Sequence, residues 1–161
     1  MPFELSNREI IDIAMGIERR GISFYDVMAK SADDEASREI FESLVEMERE
    51  HLDTFRGMLD EIDGQPGEPA TAERSEYIRA LMDSAVFTDD LITGEMATQA
   101  DTDIKAIELG IGAEKDSLLF YYEIKDSLPP KIAPLLDRII TEEKTHLWQL
   151  STIKKRLTEN P

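Results

Sequence analysis

The chain has no cysteine in its 161 residues. This excludes a disulfide framework, an iron–sulfur cluster, a thiolate zinc site and a cysteine nucleophile, so any redox chemistry must use another centre. Basic residues are scarce: 18 Lys and Arg stand against 35 Asp and Glu, for a net charge of −17. Nucleic acid and anionic membrane both require a cationic surface, so neither is expected as a partner. Most of the negative charge reads as an ordinary solvated surface. No apolar run approaches the roughly 20 residues needed to span a bilayer, and no basic segment followed by an apolar run opens the chain. A soluble, cytoplasmic protein is therefore expected. No period-two alternation is sustained, which argues against sheet. The length suits one domain, residues 1–161, with a substantial core.

What is present is a set of long three-four stripes. The most informative contains Phe41, Leu44, Glu48, His51, Phe55, Met58 and Ile62, with a carboxylate and an imidazole one helical turn apart among core residues. Buried carboxylates persist only when paired or coordinating a cation. A second copy, Glu143 and His146, lies in the stripe Ile132, Leu136, Ile139, Glu143, His146, Leu150, Ile153 and Leu157. His51 and His146 are the only histidines in the chain.

The first helix should open at Ser6, since Ser6-Asn7-Arg8-Glu9 has the form of a capping box. It should run to about Lys30 through Ile11, Ala14, Glu18, Gly21, Tyr25 and Met28. Asp33 or Asp34 can cap the second helix, which ends near Asp63 before the Gly64 to Pro69 breaker. A crossover follows, with its own helical signal at Tyr77, Ile78, Leu81 and Met82. Asp101 or Thr102 can cap the third long helix, with the stripe Ile104, Ile107, Ile111, Glu114, Leu118 and Tyr121. Pro129 and Pro130 precede the fourth, where Pro134 is tolerable in the first turn. The expected fold is all-α, a four-helix bundle with a long crossover, carrying a short extra helix, between helices two and three.

The two halves repeat. Helix one aligns with helix three, pairing Gly16 with Gly112, Glu18 with Glu114, Phe24 with Phe120 and Tyr25 with Tyr121. Helix two aligns with helix four, pairing Leu44 with Ile139, Glu48 with Glu143 and His51 with His146. Packed around one axis, Glu18, Glu48, His51, Glu114, Glu143 and His146 can converge at mid-bundle. Four carboxylates and two imidazoles suit iron or manganese, with zinc as a redox-silent competitor. Two divalent ions would balance the four carboxylate charges.

One Glu from each of two helices plus Glu-x-x-His from each of two others describes ferritin-like di-iron carboxylate bundles. In Ile17-Glu18 with Phe24-Tyr25, Glu48-Arg49-Glu50-His51, Ala113-Glu114 with Phe120-Tyr121-Tyr122, and Glu143-Lys144-Thr145-His146, the chain resembles the rubrerythrin branch of that superfamily. The resemblance runs from about Ser6 to Leu157. It implies a non-haem di-iron oxidoreductase reacting with hydrogen peroxide or dioxygen. Glu48 and Glu143 would bridge the metals, with Glu18 and Glu114 as terminal carboxylates and His51 and His146 as one imidazole per metal. Tyr25 and either Tyr121 or Tyr122 would donate to those carboxylates. Rubrerythrins typically carry a further ligand glutamate one turn after the third-helix acid, where this chain has Ser117. A rubredoxin-like four-cysteine domain is absent, so electrons would come from a separate donor protein.

Alternatives are a ferroxidase or iron-handling protein, which the acidic surface would favour, and a bundle with a structural zinc. Asp137 and Glu42 are candidate outer partners for the histidines, while Glu95, Glu108 and Asp116 read as surface residues. Tyr77, Ile78, Leu81 and Phe87 are candidate contacts of an expected homodimer.

Overall fold

The computed structural model describes residues 4–63, 69–86 and 102–160. Gly64 to Glu68, Phe87, Glu95 and Asp101, to which the sequence assigns linker, contact, surface and cap roles, lie outside them.

Five helices and no strand are found among the described residues: α1 (Asn7–Ser31), α2 (Glu35–Asp63), α3 (Ala72–Asp83), α4 (Asp103–Lys125) and α5 (Ala133–Glu159). Local chemistry starts each one. Ser6 and Glu9 form the expected capping box at α1, satisfying two amides that the helix cannot pair internally. The Asp34 carboxylate takes the Ser37 amide at 2.9 Å to open α2. Thr71 and Thr102 accept from Arg74 and Lys105 to cap α3 and α4. Only α5 lacks a side-chain cap, and it has proline in its first turn instead, where the missing N–H would be unpaired anyway.

The long helices form two hairpins, α1 along α2 and α4 along α5, and the hairpins meet through α1 against α4 and α2 against α5. At one end the Asp103 carboxylate accepts the Asp33 and Asp34 amides at 3.1 and 2.8 Å. Arg156 reaches Asp34 at 2.5 Å, locking the same corner. The crossover helix α3 lies against α4, and its Ser75 hydroxyl accepts the Leu5 amide at 2.9 Å. Ile78 is fully buried in the core of this chain and is not available to a partner, whereas Tyr77 is exposed.

The stripes of α1, α2 and α5 are buried as the periodicity predicts, save Leu157, which is half-buried. The stripe of α4 is rotated. Its buried line runs through Ile107, Gly110, Glu114, Ser117, Tyr121 and Ile124, while Ile111 and Leu118 are only partly buried. Apolar residues surround this helix, so periodicity alone does not fix its register: Gly110 packs closely on Tyr25 and Leu150, and Ser117 faces the cavity beside α1.

Candidate metal centre

Two layers of apolar packing close the middle of the bundle. One contains Phe55, Met58, Ile11, Ala14 and Leu136, and the other Phe24, Phe41, Leu44, Ile107 and Leu150. Between them α1 places Glu18, α2 places Glu48 and His51, α4 places Glu114, and α5 places Glu143 and His146. None of the six is more than 4 % exposed, so water cannot solvate charge there and each group must find a partner inside.

The six residues form two overlapping groups. Glu18, Glu48, His51 and Glu143 bring one donor atom each within 4.8 Å of one another, and so do Glu48, Glu114, Glu143 and His146. Glu48 and Glu143 belong to both. His51 Nδ1 lies 3.4 Å from Glu48, 3.4 Å from Glu143 and 3.6 Å from Glu18. His146 Nδ1 lies 3.0 Å from Glu143, 3.4 Å from Glu48 and 3.7 Å from Glu114. The imidazole rings stand nearly parallel, 5.6 Å apart.

This geometry divides the carboxylates into two kinds. Burial pushes all four up, but Glu48 and Glu143 each touch both imidazoles, and those contacts together with the adjacent Glu18 and Glu114 carboxyls hold them below the ordinary range. Glu18 and Glu114 each have one imidazole neighbour and face the charges of Glu48 and Glu143, so burial and repulsion drive both well above it. Burial lowers His146, yet its bonds to Glu143 and Glu48 outweigh that and raise it to about 9. His51 is raised by Glu143, Glu18 and Glu48 against the same opposition. Without metal the cluster is thus driven toward self-neutralisation, Glu48 and Glu143 toward the ionised form beside the imidazoles and Glu18 and Glu114 toward the protonated form.

Two tyrosines hold the outer acids. The Tyr25 hydroxyl donates to Glu114 Oε1 at 2.7 Å, and the Tyr121 hydroxyl donates to Glu18 Oε1. Burial first, then the nearby carboxylates, push both phenols well above their usual pKa, so they remain donors. Tyr122 lies elsewhere: it is 47 % exposed, with Lys144 over its ring. Adjacent helical residues point about 100° apart, and only Tyr121 faces inward.

The histidine partner also differs from the sequence expectation. His51 Nε2 is bonded to Glu142 at 2.7 Å, and Arg138 steadies Glu142 at 3.2 Å. Asp137 pairs with Lys125 at 2.7 Å instead, and Glu42 is exposed. Glu142 was findable as the acid directly before Glu143, but its counterpart in the repeat is Met47, so a search for repeated acids passes over it. The surface reading of Glu108 holds, since it pairs with Lys154 at 3.2 Å. Asp116 is half-buried and accepts the Val86 amide at 2.8 Å.

A cavity of about 40 Å³ adjoins the cluster between α1 and α4, beneath Leu81, Met82 and Ala85, and is lined by Glu48, Glu114, Gly21 and Ser117. By volume it holds about three water-sized molecules. Ser117 turns its hydroxyl onto the Ala113 carbonyl at 3.1 Å and offers no carboxylate.

The donor set fits a metal pair. Glu18 Oε2 and His51 Nδ1 are buried with no hydrogen-bond partner among the described residues, though each lies within 4 Å of other donors of its group. Unpartnered buried polar atoms are rare in native proteins and ask for an explanation; a cation between them supplies one. Oxygen and imidazole donors without sulfur match iron or manganese, and zinc competes.

Fold and centre together define an all-α bundle with a buried carboxylate–imidazole cluster. The Rubrerythrin family model matches residues 9–154, and the chain belongs to that family, as a ferritin-like member. No curated protein matches it. Among solved structures it is similar to a DUF305 fragment from Deinococcus radiodurans, with a TM-score of 0.71 at 14 % identity, covering 94 % of this chain and 98 % of that one. At that identity the likeness speaks for the fold alone. No helix among the described residues is long and apolar enough to cross a membrane.

Proposed function

We propose that this chain is a di-iron oxidoreductase that reacts with hydrogen peroxide or dioxygen. The observation carrying this reading is the pair of four-donor groups that share Glu48 and Glu143. In this reading Glu48 and Glu143, which belong to both groups, would hold both ions, Glu18 and His51 would complete the ligands of one, and Glu114 and His146 those of the other. Two bound iron ions would supply electrons to a small oxidant.

The chain's own groups do the rest. Tyr121 and Tyr25 hold Glu18 and Glu114 by one oxygen each, leaving the other free to turn toward an ion. Apolar layers on both sides keep bulk water out, which strengthens every electrostatic interaction within. The cavity beside Ser117 gives a small oxidant a place next to Glu48 and Glu114. Because Ser117 brings no fifth carboxylate, the ligand set in this reading is limited to the six residues.

The test is anaerobic loading with ferrous iron. About two ions per chain should bind, and stoichiometric hydrogen peroxide should oxidise them rapidly. A ferrous centre that survives peroxide would end this reading. Retention of many ferric ions per chain would favour iron handling, for which the charge of −17 provides some support.

A further inference from the structure

We propose that the two metal positions are unequal, and that Glu142 is a positioning residue directing the first ion to the His51 position. This rests on the metal-pair reading above. For either histidine to bind an ion through Nδ1, the remaining ring proton must sit on Nε2. At His51 that proton is already provided for, since Nε2 meets Glu142 at 2.7 Å. The carboxylate fixes the tautomer, orients the ring and makes Nδ1 a better donor.

His146 has no such support. Its Nε2 is buried with no hydrogen-bond partner among the described residues, and its Nδ1 is engaged by Glu143 at 3.0 Å. An ion bound there would have no carboxylate behind the ring to orient it or to make Nδ1 a better donor. The repeat shows where the symmetry fails. Glu142 of α5 serves the histidine of α2, and the residue of α2 that corresponds to it is Met47, whose thioether is at best a weak acceptor. Glu142 is itself tethered by Arg138 at 3.2 Å and is 24 % exposed in its side chain, against 1 % for His51. It can therefore be altered without opening the buried cluster.

Zinc ion is a suitable probe, because it needs no oxidant and leaves ring resonances observable. The chain has two histidines, so a ring ¹⁵N spectrum contains two residues, assigned on the metal-free protein with His146→Gln. With one equivalent of Zn²⁺ the His51 signals should move and those of His146 should stay. Calorimetry should show two steps. Glu142→Leu should weaken the first by about 10- to 100-fold, as loss of an outer carboxylate partner does elsewhere. Glu142→Gln, which keeps an acceptor oxygen, should restore most of it, and Met47→Glu should strengthen the second step. Repulsion between the ions also separates two steps, but it is indifferent to Glu142. His146 shifting first, both rings shifting together, or Glu142→Leu weakening both steps equally would overturn the proposal. Zn²⁺ that binds nowhere in the bundle would overturn the metal-pair reading as well, which distinguishes the two failures.

Discussion

Filling the centre with divalent ions should expel protons, in a number set by how the cluster neutralises itself. Glu48 and Glu143 are driven toward the ionised form, Glu18 and Glu114 toward the protonated form, and both imidazoles toward the charged form. Ligands must be deprotonated to bind. Two carboxyl protons and two imidazolium protons should therefore leave, about four per pair of ions near neutral pH. Because protons leave on binding, metal affinity must rise with pH. With four protons released, lowering the pH by half a unit should weaken the combined affinity for the pair about 100-fold. Above about pH 9, where His146 has lost its proton, the dependence should become shallower. Calorimetry with Mn²⁺ at one pH, in buffers of different protonation enthalpy, reads the proton count as a slope. Glu18→Gln and Glu114→Gln should each reduce it by about one, since each removes one proton that binding must displace. A slope near zero would refute the reasoning, because it would mean that four carboxylates stand ionised beside two neutral imidazoles without metal.

Three further outcomes follow from the same geometry. Tyr121→Phe leaves the buried Glu18 Oε1 without its hydrogen-bond donor, costing about 1–3 kcal/mol in the metal-free protein and about 2–4 °C of melting temperature per kcal/mol. The loss should shrink once metal holds Glu18, and equal losses with and without metal in thermal unfolding would contradict this. In Gly110→Ala the new methyl lies 3.2 Å from Tyr25 Cε1 and Leu150 Cδ1, so both must give by a few tenths of an ångström, which strains the Tyr25 bond to Glu114. Metal should bind more weakly at the His146 position by calorimetry, while helix propensity returns up to about 1 kcal/mol of stability in denaturant titration. Finally, the His146 pKa is raised to about 9 from 6.5, so its contribution is full below about 6.5 and lost as pH rises through about 9. The metal-free protein should weaken over that window by about 3 kcal/mol, opposite to the trend in metal affinity; stability that is flat from pH 6 to 10 would count against it.

The six cluster residues were legible because charge interrupts an otherwise apolar stripe at Glu18, Glu48, His51, Glu114, Glu143 and His146, and because the interruption repeats. Helix starts were legible in their caps, Ser6 and Thr102 above all. What stayed hidden was finer than periodicity can resolve. In α4 apolar residues lie on every side, so the stripe through Ile111 and Leu118 looked as good as the buried one through Gly110 and Ser117. The same blur left Tyr121 and Tyr122 undecided. Glu142 escaped for a different reason: its role depends on α5 reaching across to α2, a long-range contact that neither helix encodes alone.

Each group of donors draws on three helices, α1, α2 and α5 for one and α2, α4 and α5 for the other, and both span the seam between hairpins. Within a hairpin the helices pack extensively, whereas across the seam they meet far less. A bound ion would brace the junction where the bundle is least held, and ligands that bind only the folded state stabilise it by mass action. Metal supply would then govern the lifetime of the protein as well as its activity, with a chain starved of metal parting along the hairpin boundary and falling to proteases first.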